Sequence, residues 1–344
     1  MGSRAVHFVG SFPAEDTETA MRAMLTAHRT RLLTLPTGET RRYELYVVPI
    51  LDDLVKQGKL EVVRAGQWKS LADRTTYRVP RGVEFRGADI DLGYAAEAAE
   101  AWPVFERLRA EYGRPDLALQ LGMPTDLTLA VVALGPRGAL AHRKAFREAT
   151  VRDITAIREL AGDEVVIQLE ATAELVLTTL AGPLGGVVER SLRLGAGIAA
   201  LAAATPPGTR IGVHLCLGSL RNKAATGPRT RAVVALANSL ARQWPADRPL
   251  EYVHAPFAAG DKPPRTGATC YRPLAGLMLP PHTRFHAGLV HDVPTLEQQR
   301  VTLAEIEAAL GRPVDGVACA CGLGRRPRPV ADQLSARAAQ LAMT

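Results

Sequence analysis

Histidine and cysteine side chains that could bind a metal ion are grouped in the C-terminal half of this chain. His214 and Cys216 stand two residues apart at the end of a short apolar run that is typical of a buried strand. Because side chains alternate along a strand, the imidazole and the thiolate project from the same face and can converge on one point. His254 ends the next apolar run, and Cys321 follows the last one. Zinc prefers imidazole and thiolate ligands, so this set predicts a metal site, with iron as the alternative ion.

Each of these residues also has an ordinary structural explanation. A buried cysteine often acts as a small apolar side chain, and a histidine often lies at the end of a strand without binding a ligand. Cys319 alternates with Cys321 and can share its face, but the metal site does not require this second thiolate. Cys270 stands in a predicted loop, and its neighbours suggest no role. The metal prediction therefore depends on whether three strand ends meet in the folded chain.

Strands and helices alternate along the chain in the order typical of a parallel α/β protein. Eight apolar runs bounded by Gly, Pro or charged residues predict buried strands, at Ala5–Val9, Arg31–Leu35, Asp116–Leu121, Glu164–Leu169, Arg210–Leu215, Leu250–His254, Thr283–Leu289 and Asp315–Ala320. Apolar residues every three or four positions predict helices between them, among them Tyr43–Lys56, Ala95–Tyr112, Val187–Ala203, Thr230–Gln243, Leu296–Leu310 and Pro329–Ala342. This order predicts one domain over residues 1–344, a (β/α)8 TIM barrel with its active site at the C-terminal ends of the strands.

One segment interrupts the alternation after the second strand. Between residues 58 and 93, three runs predict short strands, at Leu60–Val63, Thr76–Val79 and Val83–Phe85. They are too polar and too brief to be strands of the barrel. We therefore interpret residues 58–93 as a small β-rich insertion between strands two and three.

Composition excludes several classes of protein. The formal net charge is +7 and 47% of residues are apolar, which rules out a disordered chain, a collagen and a coiled coil. Basic residues are interleaved with acidic ones, and only 5% of residues are aromatic, so we expect no nucleic-acid partner. The sequence contains no run of about 18 apolar residues and no signal-peptide pattern. We therefore expect a cytoplasmic protein without a membrane partner, in which cysteines serve metal binding or catalysis rather than disulfides.

A carboxylate follows the fourth predicted strand. Glu170 closes the apolar run Val165–Leu169. Burying an ionised carboxylate is costly unless it is paired. Glu170 is therefore a candidate functional residue.

Short motifs near the predicted strand ends resemble the cobalamin-independent methionine synthase superfamily, which also includes uroporphyrinogen decarboxylase-like barrels. The motifs are Gly10-Ser11-Phe12-Pro13, Gly38-Glu39, Ile167-Gln168-Leu169-Glu170, His214-x-Cys216, His254-Ala255-Pro256, Gly288-Leu289-Val290-His291 and Cys321-Gly322-Leu323-Gly324-Arg325. The resemblance covers nearly the whole chain but only the catalytic C-terminal barrel of the synthase, and it is greatest to short single-barrel bacterial members. No counterpart of the second, folate-holding barrel is expected, so the alkyl donor stays open.

The resemblance implies a metal-ligand set. In the synthase, zinc is bound by His, Cys, Glu and Cys and holds a thiol as thiolate. His214, Cys216 and Cys321 match three of these positions. At the family glutamate this chain has His254, which is expected to act as a fourth nitrogen ligand to zinc or iron.

The resemblance also implies substrate contacts. Family members bind the thiol amino acid through a Ser, a Glu and an Asp, which correspond here to Ser11, Glu39 and, with Glu in place of Asp, Glu170. Arg325 is expected to meet an anionic group of the substrate. His291 stands near the family residue that protonates the leaving group and has the pKa range for a general acid.

These residues predict a zinc- or iron-dependent methyl or alkyl transferase that activates a small thiol, in a monomer or a homodimer. Two alternatives stay open. The barrel could be a metal-independent lyase or decarboxylase in which arginines hold carboxylates. It could also be a non-catalytic barrel that binds a small molecule.

Overall fold

In a computed structural model that describes residues 4–44, 47–70 and 73–344, eight parallel strands form a nearly closed barrel. The barrel strands are β1 (Ala5–His7), β2 (Thr34–Pro36), β5 (Ala118–Pro124), β6 (Val165–Ala171), β7 (Ile211–Leu215), β8 (Leu250–Pro256), β9 (Arg284–Val290) and β10 (Gly316–Cys319). Two further strands, β3 (Glu61–Arg64) and β4 (Thr76–Arg78), form a separate antiparallel pair. All eight predicted barrel strands are confirmed, with small shifts of their ends.

Helices surround the barrel and connect successive strands. They are α1 (Thr17–His28), α2 (Val47–Lys56), α3 (Tyr94–Glu111), α4 (Asp126–Ala161), α5 (Thr172–Leu180), α6 (Gly185–Leu192), α7 (Leu194–Ala204), α8 (Thr230–Arg242), α9 (Leu296–Leu310) and α10 (Arg328–Ala342). The predicted TIM barrel is therefore confirmed. The helix expected over Val187–Ala203 is two helices, because Arg193 adopts a left-handed backbone between α6 and α7.

Strand pairing runs around the barrel in the order β1-β10-β9-β8-β7-β6-β5-β2. The seam between β1 and β2 has backbone hydrogen bonds at both ends. Val6 N–H donates to the carbonyl of Arg31 at 3.0 Å, and Phe12 N–H donates to the carbonyl of Gly38 at 2.9 Å. These bonds bring the loops that follow β1 and β2 into contact at one mouth of the barrel.

A layer of polar side chains crosses the interior of the barrel below that mouth. The Gln120 amide donates to the carbonyls of Phe8 and Val9, both at 2.9 Å, so a β5 side chain binds the backbone that directly follows β1. Gln168 on β6 donates to the Val9 carbonyl at 2.6 Å and accepts from the Tyr252 hydroxyl at 3.0 Å. Buried amides and hydroxyls are stable only when they are hydrogen-bonded, and these bonds satisfy them while fixing the strands around the site.

The segment between β2 and β5 departs in part from expectation. Strands β3 and β4 pair antiparallel, with Val62 opposite Tyr77. The strand expected at Val83–Phe85 is wrong: these residues form no strand, because Phe85 packs its ring against Phe146 and His142 of α4 instead.

Helix α4 was not among the helices predicted from sequence. It bends at Gly135, where φ is +67° and the following residue is proline. The carboxylate of Asp126 before the bend accepts hydrogen bonds from Arg143 at 2.9 Å and Arg147 at 2.7 Å after it. These ion pairs join the two halves of the helix. In the part of the chain that the structure describes, no helix is both long enough and apolar enough to cross a membrane.

A substitution at Gly212 tests the packing of this polar interior. A Cβ atom at Gly212 would lie 2.1 Å from the ring of Tyr252, which cannot move without breaking its bonds to Gln120 and Gln168. We expect Gly212→Ala to lower the free energy of unfolding by about 1–3 kcal/mol, measured by urea denaturation followed by circular dichroism. Gly186→Ala on α6 is the matched control, since its Cβ would meet only Arg190 at 3.7 Å. Equal stability of the two variants would contradict this account.

Candidate active site

A cavity of about 130 Å³ lies at the C-terminal mouth of the barrel. Six of the residues predicted from sequence line it, namely Ser11, Glu39, Glu170, Cys216, Cys321 and Arg325. They come from five different loops or strand ends, which meet because all eight strands run in the same direction. The insertion adds Trp68 and Arg74 to the wall of the same cavity.

Three side chains in this region form a candidate metal centre. The ligand atoms of His214, Cys216 and Cys321 all lie within 4.8 Å of one another, and the two sulfur atoms are 3.8 Å apart. His214 is fully buried, and its Nε2 has no hydrogen-bond partner among the described residues. A buried ring nitrogen without a hydrogen-bond partner is rare, so an unpartnered imidazole nitrogen on a ring beside two sulfurs fits a metal ion.

The two thiols are chemically unequal. The Cys321 sulfur is within hydrogen-bond distance of two groups, the Cys216 sulfur at 3.8 Å and the Ser219 hydroxyl oxygen at 3.1 Å. The hydrogen bond with Cys216 lowers the pKa of Cys321 against the opposing effect of burial, and the Arg325 guanidinium lowers it further. The same bond and burial raise the pKa of Cys216. Of the two thiols, Cys321 is thus the one that ionises more readily.

His254 lies beside the candidate metal centre but not in it. Its Nδ1 is 2.7 Å from Nδ1 of His214, and its Nε2 is 3.1 Å from the carbonyl oxygen of Cys319. Both ring nitrogens are therefore engaged, and the structure does not bring His254 into the ligand cluster that the sequence suggests. Burial, followed by the neighbouring imidazole of His214, lowers the pKa of His254 well below its usual value.

Two carboxyl groups lie side by side in the same cavity, with Glu170 on the strand next to that of His214. A Cβ atom built on Gly122 would lie 2.8 Å from Oε1 of Glu170 and 3.1 Å from Oε1 of Glu39, so only glycine leaves room for both. Gln168 donates to Glu170 at 3.2 Å and thereby orients it. Burial, followed by repulsion from Glu170, raises the pKa of Glu39 well above its ordinary value.

Ser11 connects the loop after β1 to the loop after β10. Its backbone carbonyl accepts from Leu323 N–H at 2.7 Å, and its hydroxyl accepts from Gly324 N–H at 3.2 Å. A Cβ atom on Gly322 would lie 2.2 Å from the Ser11 hydroxyl, so glycine is required beside Cys321. Arg325 donates to Ser219 at 2.7 Å and thus supports the hydroxyl that contacts the Cys321 sulfur.

His291, the predicted general acid, does not line the cavity. Its Nε2 is 3.1 Å from the carbonyl of Gly260, and its Nδ1 accepts from Val293 N–H at 3.2 Å. Burial lowers the pKa of His291. In this conformation its ring holds two backbone segments together and presents no free nitrogen to the cavity.

The structure adds three residues that sequence reasoning missed. Ser219 follows Cys216 by three positions, in the loop at the C-terminal end of β7, where active-site residues of a barrel are expected. No comparable feature of the sequence identifies Trp68 and Arg74, since they belong to the insertion and their position depends on how it folds over the barrel.

The raised pKa of Glu39 predicts how the free energy of unfolding depends on pH. A carboxyl group with a higher pKa in the folded state binds more protons when folded, so its contribution to stability falls as the pH rises. We expect Glu39→Gln to stabilise the protein relative to wild type, with a difference that grows from about pH 5 to about pH 8. Urea denaturation at several pH values measures it, and a constant difference would mean that Glu39 is ionised throughout. Glu44→Gln, on the exposed surface, is the control.

No protein-family model matches the sequence, and no curated protein matches it. Solved structures do match it along nearly its full length. One is a B12-independent methionine synthase from Shewanella sp. W3-18-1 in complex with selenomethionine, with a TM-score of 0.59 and 13% identity over 99% of this chain and 98% of that chain. Another is a provisionally assigned vitamin-B12-independent methionine synthase from Listeria monocytogenes, with a TM-score of 0.57 and 12% identity over 99% and 98% of the two chains.

A methyltransferase from Methanosarcina mazei is similar over 99% of this chain and 94% of its own, with a TM-score of 0.53 and 14% identity. At these identities the likeness concerns the fold. The chain thus has the barrel fold of B12-independent methionine synthases and related methyltransferases, in agreement with the resemblance of its strand-end motifs.

Proposed function

We propose that this protein is a metal-dependent alkyl transferase, most simply a methyltransferase, that acts on a small thiol. The observation that carries the proposal is the buried, unpartnered Nε2 of His214 beside the sulfurs of Cys216 and Cys321. One imidazole and two thiols are ligands typical of zinc, and three protein ligands with an open fourth position are typical of catalytic zinc. Its barrel fold, shared with the methionine synthase and methyltransferase structures above, supports the same chemistry.

His214, Cys216 and Cys321 would hold the ion. A divalent cation bound there supplies Lewis-acid stabilisation of a substrate thiolate at neutral pH. Ionisation of the Cys321 thiol is already favoured, because its hydrogen bonds with Cys216 and Ser219 stabilise the thiolate. Cys216 has to release its proton when an ion binds, so we expect the affinity for zinc to rise with pH.

The carboxyl pair would bind the amino group of the substrate. Glu39 and Glu170 repel each other when both are charged, and burial adds to this penalty, which raises the pKa of Glu39. An ammonium group between them would remove the repulsion and let both ionise. This supports a thiol amino acid as substrate, and the selenomethionine held by the Shewanella structure is consistent with it.

Polar groups around the cavity would orient the rest of the substrate. Arg74 lines the cavity and has no acidic partner among the described residues, and Arg325 donates to the neutral hydroxyl of Ser219. Either guanidinium could donate hydrogen bonds to the carboxylate of an amino acid. The apolar faces of Trp68 and Leu220 complete the wall and limit the access of water to the thiolate.

Metal content tests the first part of the proposal. We expect protein purified without a His tag to carry about one zinc ion per chain by elemental mass spectrometry. Cys216→Ser and Cys321→Ser should each lose most of it, because a hydroxyl is a poor ligand for zinc. Cys270→Ser, which changes a cysteine outside the site, should keep it. Metal-free but folded wild-type protein would overturn the proposal and favour the lyase or the non-catalytic barrel.

A matched pair of ligands tests the role of the carboxyl pair. We expect zinc-loaded protein to bind L-homocysteine more tightly than 4-mercaptobutanoate, which has the same thiol and carboxylate but no ammonium group. A charge-assisted hydrogen bond to ammonium is worth about 1.5–3 kcal/mol, so the ratio of dissociation constants should be about 10 to 100. Isothermal titration calorimetry measures it. Glu170→Gln should abolish most of the preference, and equal affinities in the wild type would contradict the assignment.

A further inference from the structure

We propose that His254 is a positioning residue that sets the tautomer and orientation of His214, rather than a ligand of the metal. The geometry points to a chain of two hydrogen bonds from the Cys319 carbonyl through His254 to His214. These two hydrogen bonds engage Nδ1 of His214 and leave Nε2, which has no other partner among the described residues, to bind a metal ion.

The pair of hydrogen bonds begins at the backbone carbonyl of Cys319, a group that can accept a hydrogen bond but cannot donate one. The backbone carbonyl of Cys319 lies 3.1 Å from Nε2 of His254, so this nitrogen must carry a proton for the hydrogen bond to form. A Cβ atom on Gly288 would lie 2.6 Å from the same nitrogen. Glycine at position 288 therefore gives the ring the room to reach the carbonyl.

The environment of His254 favours a neutral ring. His254 is fully buried, and the imidazoles of His214 and His7 lie beside it, with ring centroids 4.7 and 5.5 Å away. A buried imidazolium is costly, and the two groups that contact the ring nitrogens of His254, the Cys319 carbonyl and the His214 ring, carry no negative charge. With one proton, already on Nε2, the Nδ1 of His254 is an acceptor.

The state of His214 then follows. Its Nδ1 is 2.7 Å from the Nδ1 of His254, and since that atom accepts, His214 must donate from Nδ1. The Nε2 of a neutral His214 then carries a lone pair. This is the nitrogen that has no hydrogen-bond partner among the described residues, on a ring whose ligand atom lies within 4.8 Å of both sulfurs. Ligating histidines are commonly fixed in this way through the second ring nitrogen.

The tautomer can be measured without any metal. In metal-free protein labelled with ¹⁵N-histidine, long-range ¹H–¹⁵N correlation spectra distinguish a proton on Nδ1 from one on Nε2. We expect the Nδ1–H form for His214 and the Nε2–H form for His254, with His214→Gln and His254→Gln used to assign the signals. An Nε2–H form of His214 in the wild type would overturn the proposal, even if the protein binds zinc and transfers alkyl groups.

Two substitutions at His254 separate positioning from ligation. The amide of Gln can donate to the Cys319 carbonyl and accept from His214, whereas Leu can do neither. In chelator competition with zinc, we expect His254→Leu to weaken binding about 10- to 100-fold and His254→Gln to restore most of the affinity. His286→Gln, at another buried imidazole that does not contact His214, should bind zinc as the wild type does.

The coordination shell gives an independent readout. The zinc X-ray absorption spectrum of the wild type should contain one imidazole and two sulfur ligands, and His254→Gln should leave it unchanged. Two imidazoles in the wild type, reduced to one in His254→Gln, would overturn the proposal in favour of direct ligation. Absence of zinc from all these proteins would instead contradict the proposed function, while the tautomer of metal-free His214 would still decide the role of His254.

Discussion

The register of the parallel strands is the constraint on which the rest of this molecule depends. Glu170 pairs with His214, His214 with His254, and His254 with His286, on four consecutive strands. Because paired residues of adjacent parallel strands point to the same side, these four side chains lie at one level inside the barrel. A slip of one residue at any of these strands would turn its polar group away from the interior. The site is therefore built into the strand pairing and not only into the loops.

Burial determines the charge states at this level of the barrel. Desolvation lowers the pKa of His7 to about 3 and lowers the pKa values of His254 and His286 as well, so these imidazoles are neutral donors and acceptors. The same effect raises the pKa of Glu39 in the cavity at the mouth of the barrel. The barrel interior thus holds polar groups that are mostly uncharged. A cation bound beside His214, Cys216 and Cys321, or between Glu39 and Glu170, would change that balance, because it would favour the charged forms of the thiols and carboxyl groups.

Hydrogen bonds between the interior side chains connect the paired strands to the residues of the site. The Gln168 amide on β6 contacts the backbone that follows β1, the hydroxyl of Tyr252 on β8 and the carboxyl group of Glu170, and so connects the site to both. His254 has a similar position between the backbone of β10 and the ring of His214. Such shared groups explain why small changes in the interior are expected to reach the cavity. The insertion acts differently, since Trp68 and Arg74 cover the cavity from outside the barrel.

Local patterns in the sequence determined which residues are in the barrel and which end of it carries the site. Apolar runs marked the eight strands, and the alternation within each strand put His214 and Cys216 on the same face, as the structure has them. What each strand-end residue contacts was decided only by the tertiary structure. His254 and His291 stand at strand ends like His214, yet one bonds to a neighbouring imidazole and a carbonyl and the other to two backbone groups. Val83–Phe85 has the composition of a strand but packs an aromatic ring against α4. The physical reason is the same in each case: a side chain's hydrogen bonds and packing partners come from residues distant in sequence, which local periodicity does not encode.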